Sequence, residues 1–240
     1  MSGAAPDKAP DRIASMFDAI APRYDLLNHL LSAGIDRRWR RQAIASLHLT
    51  GRETLIDVCT GTADMALEAR QAARVLGVDF AGAMLQLGLD KVRAARQDRR
   101  VVLVRGDALS IPAPSGCADA ATVAFGIRNV QHPEVACREM ARVLRPGGRL
   151  AILEFGVPRI PGISAVYLWY FTRVMPLVGK LISGHSGAYT YLPASVGTFT
   201  PPAEFVTLLQ HSGFTDIQAV PLTFGIVYLY TATRREGSGG

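Results

Sequence analysis

From Glu53 onward, apolar residues fall into short unbroken runs separated by stretches of helical spacing. TLIDV (54–58) is such a run, and DMALEARQAA (64–73) follows it with apolar positions three and four apart. RVLGV (74–78) and AGAMLQLGLDKVRAAR (81–96) repeat the pair. VVLVRGD (101–107), DAATVAFG (119–126), HPEVACREMARVL (132–144) and GRLAILEF (148–155) extend it. Continuous Val, Ile and Leu runs with helices between them predict a parallel sheet covered on both faces. Before this region, residues 11–48 read as helical, with MFDAIAPRYDLLNHLLS broken at Pro22 and a second helix capped by Asp36. After it, PPAEFVTLLQHSGF (201–214) reads as a helix capped by Thr200 and stopped by Gly213. FTDIQAV and FGIVYLYTATR are too close in sequence for a parallel crossover, so they predict an antiparallel hairpin.

With 240 residues, 49% of them hydrophobic, the chain suits one α/β domain over 11–234. MSGAAPDKAP (1–10) reads as a disordered leader and REGSGG (235–240) as a frayed tail. The net charge of +6 favours acidic surfaces. Its two basic runs, DRRWRR (36–41) and KVRAARQDRR (91–100), lack the interleaved aromatics of a single-strand binder. They read first as solvated helix faces, then as a membrane-surface contact, and no nucleic-acid partner is expected. Cys59, Cys117 and Cys137 show no paired spacing, so neither a metal nor a disulfide is expected, and a reducing cytoplasm is the natural setting. No secretory signal is read at the N-terminus. The most apolar window, 160–182, is interrupted by Arg173, Pro176, Gly179 and Lys180. It reads as helices lying on the protein, an apolar insertion over 160–190, not a transmembrane span.

A mostly parallel sheet ending in a hairpin is the layout of Rossmann-like methyltransferases, and the strand ends carry what S-adenosylmethionine needs. Asp57 and the CTGTAD turn, with Gly61, follow the first strand. Asp79 ends the second, 22 positions beyond Asp57, where an acid takes ribose hydroxyls. Asp107 follows the third, its carboxylate placed for an adenine amino group and the Ala108 N–H for the ring. A dinucleotide would require a three-glycine pyrophosphate cradle, which is absent. A phosphate-free nucleoside needs only one permissive glycine.

FDAIAPRYDLLNHLLSAGIDRRWR (17–40), LIDVCTGTADM (55–65), FGIRNV (125–130), RVLRPGGRLAILEFGVP (142–158) and YLPASVGTF (191–199) together resemble the menaquinone/ubiquinone biosynthesis C-methyltransferase family. The resemblance runs from about Ile13 to Arg234. It implies a class I methyltransferase fold with seven strands, a C-terminal antiparallel hairpin and an N-terminal helical cap. It also implies methyl transfer from S-adenosylmethionine to a ring carbon of a polyprenylated quinol, demethylmenaquinol foremost, leaving S-adenosylhomocysteine. Family cofactor positions carry over onto Thr62, Asp79, Asp107 and Ala108. Ala63 stands where the family loop has glycine, and Asp36 where a histidine is usual. Ala124 before FG leans toward the menaquinone-only branch.

The reaction needs a proton acceptor for the quinol hydroxyl, or a cation that favours the phenolate, and no metal. Arg128 and Asn129, after the fourth strand, are candidates for stabilising and orienting the quinol oxygen; the structural alternatives are an Arg128–Glu154 pair and a helix cap by Asn129. Tyr24 and Asp25 are candidate bases on the helical cap beside Asn28. His29 and His185 read as solvent and loop residues. Tyr167, Trp169, Tyr170, Phe171 and Met175 form a prospective apolar entry, with Arg173 and Lys180 at lipid headgroups, or else ordinary helix packing. Benzoquinol methylation, methylation of another apolar molecule, and a non-catalytic cofactor-binding partner are the competing functions. A homo-oligomer is compatible with each.

Overall fold

The computed structural model describes residues 8–236 apart from Ala33, Arg159, Pro161 and residues 175–185. Several helical side chains also lie outside the described set, among them Pro22, Tyr24, residues 26–31, Phe171 and residues 186–190. Met175, Lys180 and His185, and the side chains of Tyr24, Asn28, His29 and Phe171, for which the sequence sets expectations, therefore lie outside the described residues.

Two helices, α1 (Pro10–Leu31) and α2 (Asp36–Ser46), precede the first strand, β1 (Thr54–Val58). The alternation continues through α3 (Asp64–Glu68), β2 (Arg74–Asp79), α4 (Gly82–Ala94), β3 (Val101–Arg105) and β4 (Ala118–Ala124). A 3-10 turn (Ile127–Asn129) leads to α5 (Pro133–Val143) and β5 (Leu144–Phe155). Next come α6 (Ile163–Trp169), which runs into a π-helical turn (Tyr170–Val174), then α7 (Ser186–Gly197) and α8 (Pro202–His211). The chain closes with β6 (Phe214–Leu222), a 3-10 turn (Thr223–Gly225) and β7 (Val227–Arg234).

The seven strands form one sheet in the order β3-β2-β1-β4-β5-β7-β6. β1 to β5 pair in parallel, while β7 runs antiparallel to both β5 and β6. Both faces are covered, which is why the strands are apolar throughout. Ile56, Val58, Val123 and Ile152 pack with Met140 of α5 and Phe205 and Leu209 of α8. Leu55, Val75 and Leu153 pack on the other side with Trp39 and Ile44 of α2, Met65 of α3 and Val92 of α4. The strand order reverses between β1 and β4, which opens a crevice at their carboxyl ends.

Four local expectations are corrected. α1 continues through Pro22, because it is anchored on both sides of the proline: Ile13, Ile20 and Ala21 are buried before it, and Asp25 is bonded to Thr62 and Lys91 after it. α3 is five residues long, shorter than its pattern, since Ala73 must already donate to Glu53 O for β2 to register with β1. Asp36 is the first residue of α2, not its cap, and its carboxylate accepts from Ser32 Oγ (2.8 Å) and from Arg40. α8 has Pro201 at its cap position without a side-chain cap, so Thr200 does not fill that role; Gly213, at φ 98°, does end the helix.

Candidate active site

The turn after β1 is built on three left-handed residues, Cys59 (φ 54°), Gly61 (φ 55°) and Ala63 (φ 66°). Only glycine adopts this conformation without strain. Asp57, fully buried, holds the turn in shape: its carboxylate accepts from Thr60 Oγ1 (2.5 Å) and from Thr122 Oγ1 (2.8 Å), its register partner on β4. Burial pushes its pKa up to about 6 against these two hydrogen bonds, which lower it. Asp57 therefore faces the interior and does not line the crevice.

Asp79 reaches the crevice from the end of β2. Its Oδ2 accepts from Gly61 N (2.8 Å) and its Oδ1 from Ala81 N (2.9 Å), and burial raises its pKa. One carboxylate thus ties the turn to the start of α4. Asp107 Oδ1 accepts from Leu109 N (2.9 Å) after β3. Gly61, Asp79, Asp107, Ala108 and Asn129 line one pocket, with Phe17, Met84 and Val130 among its apolar walls. Gly126 lets the ends of β1 and β4 close up at this pocket, because a Cβ there would lie 2.4 Å from Cys59 Cβ.

Arg128 takes the structural pairing foreseen for it. Its Nη1 donates to Glu154 Oε1 (2.8 Å) and its backbone N–H to Glu154 Oε2 (3.1 Å), and Glu154 is wholly buried. Nη1 also donates to Phe125 O, and the guanidinium lies 5.3 Å from the Phe155 ring centroid. Phe125 itself is left-handed (φ 60°), and its ring packs tilted against that of Phe155, with centroids 4.6 Å apart. Asn129 does not cap α5, whose cap position is His132; its Nδ2 faces Phe125 O at 3.5 Å. Arg128 Nε and Asn129 Oδ1 are buried without a hydrogen-bond partner.

Thr62 and Asp25 lie elsewhere. Thr62 Oγ1 donates to Asp25 Oδ1 (2.6 Å), and Lys91 Nζ donates to Asp25 Oδ2 (2.9 Å), Thr62 Oγ1 (3.1 Å) and Asp64. This cluster joins α1, α3 and α4 and does not line the pocket. Asp25, paired with a lysine there, is poorly placed as a base. The pocket wall does include Lys8, which composition assigns to the leader; burial lowers its pKa, while Glu154 raises it. A single lysine before a helix carries no pattern that marks it in sequence.

These residues fit a nucleoside. Asp79 keeps a face on the pocket after binding two N–H groups, Asp107 Oδ2 is uncommitted, and Asn129 Oδ1 is an unfilled acceptor. The fold and this crevice together define a Rossmann-like S-adenosylmethionine-dependent methyltransferase. Solved structures with the same fold include a Thermotoga maritima S-adenosylmethionine-dependent methyltransferase, described as a possible histamine N-methyltransferase (TM-score 0.64, 18% identity, covering 92% of this chain and 99% of that one). Another is the [4+2]-cyclase SpnF (TM-score 0.65, 18% identity, 98% of both chains). The chain belongs to the ubiE/COQ5 methyltransferase family, whose model matches residues 6–234. It is 45% identical over 228 residues to the ubiquinone/menaquinone biosynthesis C-methyltransferase UbiE of Geobacter sulfurreducens, covering 93% of this chain and 89% of that protein. It is 44% identical over 222 residues to the demethylmenaquinone methyltransferase of Thermus thermophilus, covering 91% and 100%.

Proposed function

We propose that the chain methylates a ring carbon of demethylmenaquinol, giving menaquinol. The reading is carried by the convergence of Gly61, Asp79, Asp107 and Asn129 on one apolar-walled pocket, in a chain 44% identical to a demethylmenaquinone methyltransferase. S-adenosylmethionine, when bound, supplies an electrophilic methyl on a sulfonium and leaves as S-adenosylhomocysteine. Asp79 would hold the ribose hydroxyls, and Asp107 with the Ala108 N–H the adenine. Phe17, Met84 and Val130 exclude water from the acceptor ring. Asn129 orients the ring oxygen. Arg128, held in place by its ion pair with Glu154, favours the deprotonated oxygen, which raises electron density on the adjacent carbon.

A membrane-borne substrate brings the pocket to a lipid surface, and peripheral contact at the inner face of the membrane belongs to the same reading. Trp169, Leu168 and Phe224 are exposed apolar side chains, and Arg173 is exposed beside the first two. No helix among the described residues is long and apolar enough to cross a membrane.

The test is methyl transfer from labelled cofactor to a short-tail demethylmenaquinol under reducing conditions, with the product identified by mass. Label on the naphthoquinol ring carbon is expected. Label only on a benzoquinol acceptor offered in parallel would move the assignment to the ubiquinone branch.

A further inference from the structure

α1 closes the pocket with one face. Ile13 and Phe17, four residues apart, both line it, and Ile13 N donates to Ala9 O (3.1 Å), so the helix is wound from its first turn. That turn brings Lys8 onto the same pocket wall, which it shares with Asn129. The charges that act on Lys8 are those of Glu154 and Arg128, the ion pair beside the carboxyl ends of β4 and β5. Methyl transfer to a quinol carbon needs a group that takes the hydroxyl proton. The other titratable side chains here are engaged. Asp79 accepts from Gly61 N and Ala81 N, and Asp107 accepts from Leu109 N. Glu154 accepts with both oxygens, from Arg128 and from Phe155 N. Burial keeps the Cys59 thiol protonated. Lys8 makes no hydrogen bond or ion pair among the described residues.

We propose that Lys8 is the general base of the reaction, its uncharged Nζ taking the proton of the acceptor hydroxyl. The O–H bond breaks toward Nζ and a C–C bond forms to the transferred methyl, while the electron pair of the breaking S–C bond stays on sulfur. The methylated carbon then loses its own hydrogen to solvent as a proton, and Lys8 returns the first proton to the oxygen. Burial lowers the Lys8 pKa, with Glu154 opposing and Arg128 adding to the fall, so the neutral amine is closer to hand than on a surface lysine. A lysine that precedes the first helix thus completes a site whose other members stand at strand ends. The assignment rests on the quinol reading but is tested separately from it.

The first test needs no methyl transfer. 1-Naphthol is added to protein saturated with S-adenosylhomocysteine, at a pH below the ionisation of the free phenol, while its spectrum and the pH of a weakly buffered solution are followed. Wild type should bind the probe as naphtholate without releasing a proton, because Nζ keeps it. Bound probe that stays protonated overturns the base, and ionisation that releases a proton makes Lys8 a fixed cation and overturns it too. Lys8→Met should lower the naphtholate-to-naphthol ratio about tenfold or more with S-adenosylhomocysteine affinity unchanged; an unchanged ratio assigns the proton to another group. In turnover, Lys8→Met and Lys8→Arg should each lower kcat about a hundredfold or more with KM little altered, since a guanidinium keeps the charge but takes no proton. The wild-type rise of kcat/KM with pH, through a value below 10.5, should vanish in both variants. Activity restored by arginine overturns the base. If wild type methylates demethylmenaquinol and Lys8→Met does so at the same rate, the base fails and the function stands. If wild type methylates no quinol but moves the probe's proton to Lys8, the function fails and the base stands.

Discussion

At Gly126 the approach of two strand ends leaves no room for a methyl group. A Cβ there meets Cys59 Cβ at 2.4 Å and Sγ at 3.1 Å, and both are fixed to the β1 turn. Gly126→Ala should therefore cost about 3 kcal/mol, at the upper end of overpacking penalties. Cys59, at φ 54°, sits in backbone that suits glycine, so Cys59→Gly removes the clash and relieves strain together. The double variant should recover most of the loss in urea denaturation; a loss equal to the sum of the two singles would contradict the contact. Asp57 carries a different prediction. Its pKa of about 6 lies above its ordinary 3.8, so the folded chain holds this proton more tightly than the unfolded one. Stability from this group is full below pH 3.8 and is lost as pH rises through about 6. Asp57→Asn lacks that titration. Between pH 4 and pH 7.5 its stability should rise relative to wild type by on the order of 2–3 kcal/mol. Parallel pH profiles for the two proteins would show that Asp57 does not titrate in this way.

Among the elements, α1 does more than cover the sheet. The start of α4 has no side-chain cap of its own, and Asp18 of α1 supplies one: its Oδ1 accepts from Ala83 N at 2.9 Å. Asp79 takes the neighbouring Ala81 N–H, so α1 and the acid that ends β2 share the same helix end. Asp18→Ala should cost about 1 kcal/mol, a typical cap loss, and speed amide exchange at Ala83. Unchanged protection there would mean that solvent or another group replaces the cap. The same element marks where sequence reading stops. β1 was legible as TLIDV because a continuous apolar run is a local signal; that Asp79 and Asp107 line the pocket was legible because one ends such a run and the other follows one by two residues. Asp57 and Thr62 also stand beside a strand end, but their side chains are claimed by Thr122 and Asp25, 65 and 37 residues away. No local pattern encodes those partners. α1 passing through Pro22 and the inclusion of Lys8 in the pocket wall are tertiary outcomes of the same kind.

For the whole molecule, the question is which surface meets the lipid that holds the proposed substrate. Val227 registers with Phe155, so the Thr223–Gly225 turn stands at the carboxyl end of β5, the end at which the pocket opens. Phe224 projects from it 65% exposed, in left-handed backbone that an aromatic residue adopts only under constraint. α6 joins this end through Tyr167, which packs with Phe155 and Ile226, and leaves Trp169 61% exposed. Trp39 Nε1 donates to Thr223 Oγ1 at 2.9 Å, which ties α2 and its exposed Arg37, Arg38 and Arg41 to the same turn. Apolar tips bordered by arginines, on a chain of net charge +6, suit an anionic interface, where each nearby basic residue contributes about 1 kcal/mol. The protein should co-sediment with phosphatidylglycerol-containing vesicles at low salt, less with neutral vesicles, and less again at high salt. Phe224→Asp combined with Trp169→Asp should lower vesicle binding by about tenfold or more while S-adenosylmethionine affinity stays unchanged, because neither residue lines the pocket of Gly61, Asp79 and Asp107. Binding that ignores lipid charge, or that survives both substitutions, would place the contact on another face and separate substrate capture from this end of the sheet.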